Sequence, residues 1–129
     1  MREILRSAVA LFEKNQISAV DAEILLAHVI GVSRKQLITS TWELPESELE
    51  RVQDEFNGLV EQRLLGKPVQ YITGSAPFRY LELSVGPGVL IPRPETEILV
   101  DRVIGFLQSS TDKEQAKSVV DLGAGSGAI

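Results

Sequence analysis

Apolar residues recur at helical spacing through the first half of the chain. In residues 2–14, Ile4, Leu5, Ala8, Val9, Leu11 and Phe12 fall on one stripe of a 3.6-residue period, which predicts a first helix. Ser18 followed three positions later by Asp21 has the spacing of a capping box. It opens a second helix whose inward face is Ala22, Leu25, Leu26 and Val29, with Gly31 placed to end it. Ser33 with Gln36 repeats the spacing for a short third helix through Leu37 and Ile38. Pro45 then interrupts, and from Ser47 onward Leu49, Val52, Phe56, Leu59, Val60, Arg63 and Leu64 share one side of a long fourth helix ending at Gly66. Residues 1–68 are therefore expected to form a small antiparallel α-helical bundle.

After Gly66 the period changes to two. Leu81, Leu83 and Val85 alternate with Glu82 and Ser84, and Gly86-Pro87-Gly88 turns the chain into the apolar run Val89-Leu90-Ile91. This predicts a β-hairpin of residues 81–91 inside a linker spanning residues 69–92. Pro94 suits the first position of a further helix, where its missing N–H costs nothing, and Glu95 and Glu97 lie in the first turn, where the helix dipole favours carboxylates. Ile98, Leu99, Val100, Val103, Ile104, Phe106 and Leu107 predict burial of one broad side. A polar loop is expected from Ser109 to Lys113, and then a short strand, residues 119–122, enters an alternation of glycines. Because residues 118–129 supply no neighbouring strand, that last segment is expected to fray.

Composition narrows the chemistry. The 129 residues are 43% hydrophobic and 24% charged, as in ordinary globular proteins, and no run approaches the length of a membrane span. The N-terminus has charges scattered through it, unlike a signal or transit peptide. Without cysteine there is no disulfide or thiolate site, and one histidine makes no metal cluster, so a cytoplasmic protein without a metal is expected. His28 reads as a residue at the rim of a helical core. The net charge of −5 disfavours general nucleic-acid binding, which needs a basic surface to release counterions. On the fourth helix Glu46, Glu48, Glu50, Asp54, Glu55 and Glu61 outnumber Arg51 and Arg63, which a solvated face explains, although such a face also suits a basic partner.

Gly123, Gly125 and Gly127 alternate, so the backbone can turn sharply and approach a ligand closely. A phosphate-cradling loop would need a lysine after its last glycine, and none is present. Gly123, Gly125 and Ala128 satisfy the spacing of a dinucleotide loop, but Asp121 would place a carboxylate near the pyrophosphate. S-adenosylmethionine has no phosphate and carries cationic sulfonium and ammonium groups, which an acidic strand end suits. A glycine-rich turn with no ligand is the remaining alternative.

Residues 90–97, LIPRPETE, followed by VVDLGAGSGAI at residues 119–129, resemble the release factor glutamine methyltransferases, the PrmC or HemK family. AEILLAHVIG, GKPVQYITG and the hairpin region are similar to that family's helical N-domain and linker, so the resemblance covers essentially the whole chain. It implies an α-helical bundle for substrate recognition (1–68), a β-hairpin linker (69–92) and the start of an α/β Rossmann-like class I methyltransferase domain (93–129). It implies methylation of the side-chain amide nitrogen of the glutamine in the Gly-Gly-Gln motif of class I peptide chain release factors, with S-adenosylmethionine as donor. Asp121, Gly123, Ala124, Gly125, Ser126 and Gly127 would hold the cofactor, and Leu90, Arg93 and Thr96 would lie at the pocket edge. Ala124 stands where the family often has threonine, and Arg79-Tyr80 where many members have an aromatic followed by a small residue.

The family's Asn-Pro-Pro-Tyr segment, which would bind the target amide, does not occur in these 129 residues, so the resemblance implies no catalytic residue here. The sequence is accordingly expected to be an inactive N-terminal fragment of an enzyme that is monomeric when full length, with no direct nucleic-acid or membrane partner. Three rivals stay open: a nucleic-acid base-amine methyltransferase, a stand-alone protein-binding helical module and a nicotinamide oxidoreductase.

Overall fold

The stripes of the first half close on one core. A computed structural model, which describes residues 1–42, 44–109 and 118–129, divides into two units, Met1–Thr73 and Gly74–Ile129. In the first unit the order is α1 (Arg2–Lys14), α2 (Ala19–Ile30), α3 (Arg34–Thr39), α4 (Glu46–Leu64) and α5 (Val69–Thr73). The central element is α2, against which α1, α3, α4 and α5 all pack. That position suits its residues, because Ala22, Leu25, Leu26 and Ala27 are all buried, leaving little polar surface on its inner half. Phe12 of α1 and Phe56 of α4 are fully enclosed beside Leu25 and Val52. Each such side chain contributes about 1.5–3 kcal/mol through the area it removes from water.

The caps agree with the sequence except at one position. Ser33 and Gln36 form the expected reciprocal box, the Ser33 hydroxyl accepting from the Gln36 N–H and the Gln36 side chain accepting from the Ser33 N–H. Ser18 accepts from the Val20 N–H at 3.3 Å, but Asp21 does not complete a box there. Its carboxylate takes the Arg63 guanidinium of α4 at 2.7 Å, because a cation offers it a stronger, charge-assisted bond than a lone amide does. Gly31 ends α2 at φ 77°, as its position suggested. The turn after α1 places Gln16 at φ 59°, a conformation usually left to glycine or asparagine, and the Ile17 N–H closes it onto the Phe12 carbonyl. Nothing in the sequence pattern signalled α5, a single turn following Pro68 that buries Val69 and brings Ile72 against the core.

In the second unit the hairpin differs from the one the alternation suggested. Strand β2 (Leu81–Ser84) pairs antiparallel with β1 (Ser75–Phe78), upstream of it, in the register Phe78 to Leu81 and Ser75 to Ser84. Residues 89–91 form no strand, and Gly86-Pro87-Gly88 is a turn that leads out of the hairpin rather than into a second arm. The upstream partner was hidden because Pro77 lies within β1 and the two loop residues are Arg79 and Tyr80, none of which advertises a strand or a tight turn. A two-stranded ribbon tolerates Pro77, since only one edge of each strand is paired.

Helix α6 (Pro94–Ser109) begins at the proline as expected, with Glu95 and Glu97 in its first turn. Its apolar side, however, is only partly covered: Val100, Val103 and Leu107 are half-buried, but Ile98, Leu99, Ile104 and Phe106 are all exposed. No strand forms at residues 119–122 either, and Val119, Val120 and Leu122 stand in solvent. The missing strand agrees with the fraying expected of that segment, and it shares one cause with the exposure of the helix. A helix stripe and a strand gain burial only from another layer, and among the described residues of this unit nothing covers the exposed part of the stripe or residues 119–122. The polar loop expected at Ser109 to Lys113 lies, after Ser109, outside the described residues.

Candidate functional site

The glycine alternation has the backbone that the residue type allows and others resist. Gly123, Gly125 and Gly127 lie at φ 83°, 57° and 74°, and the Gly127 N–H donates to the Ala124 carbonyl at 2.8 Å, tightening the loop into a turn. A β-carbon at Gly123 or Gly127 would meet open space, and one at Gly125 would rest 3.7 Å from the Gly123 carbonyl oxygen. Conformation, not crowding, is therefore what requires glycine at these positions. Asp121 presents an exposed carboxylate two residues ahead of the loop; Ser126 is partly covered and Ala124 is exposed. The donor set is thus one carboxylate and a short arc of backbone amides in a turn open to solvent.

The other residues expected at a pocket edge lie around the start of α6. Leu90 is 70% exposed, Arg93 is exposed just ahead of the helix, and Thr96 is half-buried with its N–H bonded to the Arg93 carbonyl at 2.9 Å. That bond is part of the helix start. Among the described residues no hydrogen bond or ion pair joins Arg93 or Thr96 to Asp121 or to the glycine loop. Nor do three His, Cys, Asp or Glu side chains converge among them in a way that could hold a metal ion.

What does organise this end of the second unit is Arg79. The residue sits at φ 54° in the hairpin loop, and its own N–H donates to Glu97 Oε1 at 2.9 Å. Its guanidinium pairs with Asp101 one turn further along α6 and passes over the Tyr80 ring, 5.7 Å from the centroid. Loop and helix start are thereby pinned together, and the Glu97 carboxylate, expected only to favour the helix dipole, also serves as a clamp. Sequence reasoning had no signal for this, since the partners stand 18 and 22 positions away and arginine is an unusual choice for a positive-φ loop residue.

Known proteins resemble the chain along nearly all of it. A family model described as the PrmC N-terminal domain matches residues 3–74. A release factor glutamine methyltransferase of Burkholderia pseudomallei is 42% identical over 123 residues, covering 95% of this chain and 41% of that protein. One from Chlorobaculum tepidum is 39% identical over 131 residues, covering 98% and 43%. One from Haemophilus influenzae is 38% identical over 133 residues, covering 99% and 44%. The chain therefore spans about two-fifths of the length of the curated relatives it matches.

Proposed function

The chain belongs to the release factor glutamine methyltransferase family, whose PrmC N-terminal domain it carries, and we propose that it is the front portion of an enzyme that methylates the glutamine side chain of a Gly-Gly-Gln motif in class I release factors. The observation that carries this reading is the similarity to proteins named for that activity along 95–99% of the chain. In this reading residues 1–68, with α5, help to recognise the release factor, residues 69–92 link, and residues 93–129 open the catalytic domain of a cytoplasmic enzyme. The separation of a helical unit ending at Thr73 from a second unit supports such a division. Among the described residues, no helix is long and apolar enough to cross a membrane.

S-adenosylmethionine, when bound, supplies a methyl group on a cationic sulfonium, open to in-line displacement by an amide nitrogen. The residues present fit that group in chemistry: the Asp121 carboxylate attracts a cation, and the positive-φ turn at Gly123, Gly125 and Gly127, with Ala124 and Ser126 between, lets backbone approach a ligand without β-carbons intervening. Leu90, Arg93 and Thr96 would border the site, and the Arg79 clamp onto Glu97 and Asp101 would hold the segment that carries them. An amide nitrogen is a poor nucleophile because its lone pair is delocalised, so the reaction depends on alignment and on hydrogen bonds to the target NH2. The family's Asn-Pro-Pro-Tyr is absent from these 129 residues, and no such role falls to any residue here.

A chimera decides the reading. This chain replaces the matching part of the Haemophilus influenzae relative, and methylation of the Gly-Gly-Gln glutamine is followed by mass spectrometry on intact release factor. Methylation that falls when Asp121 is changed to Asn is expected. A chimera that binds S-adenosylmethionine but leaves the release factor unmodified overturns the substrate, and one that binds only a nicotinamide cofactor overturns the donor.

A further inference from the structure

Between α1 and α4 the helical unit carries a groove of about 380 Å³ that its own core does not fill. Ile4, Ala8, Leu11, Leu49 and Val60 give it an apolar part, and Glu3, Ser7, Gln53 and Asn57 make the rest of its lining polar. Leu11 remains 40% exposed there, leaving aliphatic surface in the groove uncovered. From Leu49 to Val60 the groove follows α4 for about 16 Å at 1.5 Å per residue, room for some three turns of a third helix.

Charge decides what such a helix must look like. On α4 the stripe next to the groove residues and away from the core is Glu46, Glu50, Asp54 and Glu61, all exposed, and Glu3 of α1 lines the groove itself. Both cations of α4 are committed elsewhere: Arg51 to Glu55 at 3.0 Å on the far flank, and Arg63 to Asp21 of α2 at 2.7 Å. The rim carboxylates are therefore left to a cation from outside α4. A second copy of this chain docked symmetrically would set carboxylate against carboxylate, which disfavours self-association through this surface.

The geometry points to a docking groove for an amphipathic helical segment of a protein partner, apolar on the face that enters between α1 and α4 and lined with Lys or Arg where it meets Glu46, Glu50 and Asp54. Apolar contact supplies the seat, and the flanking charge selects basic over acidic segments and fixes the side on which they lie. The inference stands on the helical unit alone, and it survives or fails independently of methyl transfer.

The test is fluorescence anisotropy on the full 129-residue chain with a labelled Leu/Lys amphipathic peptide about 12 residues long, three to four turns of helix, compared with a Leu/Glu peptide of the same pattern and a Leu/Lys peptide with the apolar face scrambled. Saturable binding of the first peptide alone is expected, with amide shift changes centred on Ile4, Leu11, Leu49 and Val60. Leu11→Asp and the pair Glu50→Lys with Asp54→Lys should each weaken it by about tenfold or more, while Glu48→Lys with Glu55→Lys on the far flank should not. Circular dichroism confirms that each variant is folded. No saturable binding, equal binding of the scrambled peptide, equal loss in the far-flank variant, or a self-association abolished by Leu11→Asp would each overturn the proposal.

Discussion

Arg63 Nε donates to Asp21 Oδ2 at 2.7 Å, joining α4 to α2 across 42 positions of sequence. The two side chains are only 21% and 14% exposed, so water competes poorly for either. Removing one partner leaves the other a half-buried ion. We expect Arg63→Met to destabilise the helical unit by about 1–3 kcal/mol. Pairing it with Asp21→Leu should cost less than the sum of the single changes, with a coupling above about 0.5 kcal/mol in a urea-denaturation cycle followed at 222 nm, a standard helix wavelength. Strict additivity would mean the pair contributes nothing.

The two serine caps should differ. Ser33 has a reciprocal partner in Gln36, whereas Ser18 makes one bond at 3.3 Å and Asp21 has turned to Arg63. Ser33→Ala is expected to cost about 1 kcal/mol, towards the middle of the range for lost caps, and Ser18→Ala less. Thermal melts of the two variants side by side give the order, and the reverse order contradicts this account.

Phe12 and Phe56 both belong to the core of the first unit, with no exposed surface to speak of. Either one changed to Ala should cost about 3–5 kcal/mol, through lost transfer energy and the cavity left behind. Set against a typical domain stability of about 5–15 kcal/mol, this lowers the melting temperature sharply. Calorimetry would show it. A change of the same size at Ile38, which is 56% exposed, should be nearly silent.

In the second unit the Arg79 N–H reports on its clamp. Its acceptor is Glu97 Oε1, so Glu97→Ala should raise the hydrogen-exchange rate of the Arg79 amide while leaving the unit 1 helices protected. Arg79→Gly is expected to be milder than Arg79→Ala, because glycine adopts φ 54° without strain, whereas alanine loses the ion pair and keeps the strain. The same exchange experiment should find the amides of residues 119–122 close to unprotected, since they stand in no strand. Slow exchange there in a monomer would contradict the exposed course of that segment.

Helices α1 to α4 were legible because their signals are local. An apolar stripe, a serine three places before a glutamine, or a glycine after the last turn acts within one or two turns of chain, and reading it needs no knowledge of what lies opposite. The hairpin was half legible: the alternation of Leu81, Leu83 and Val85 marked β2, but the strand it pairs with contains a proline and is joined through Arg79 and Tyr80. At the candidate site the sharp turning of the backbone at Gly123, Gly125 and Gly127 was expected from residue type, whereas the Arg79 clamp at the start of α6 was not.

By itself, then, the order of residues determined that the segments of α1 to α4 and α6 coil, where most of them start and stop, and where glycines leave the chain free to turn sharply, since these depend on torsions and on bonds four positions apart. Only the tertiary structure decided that Asp21 serves Arg63 rather than its own helix cap, that β2 looks upstream for its partner, and that much of the α6 stripe lies exposed. Each is a choice among distant competitors. Such choices are settled by which group or layer comes within reach once the chain has collapsed, and periodicity carries no record of them.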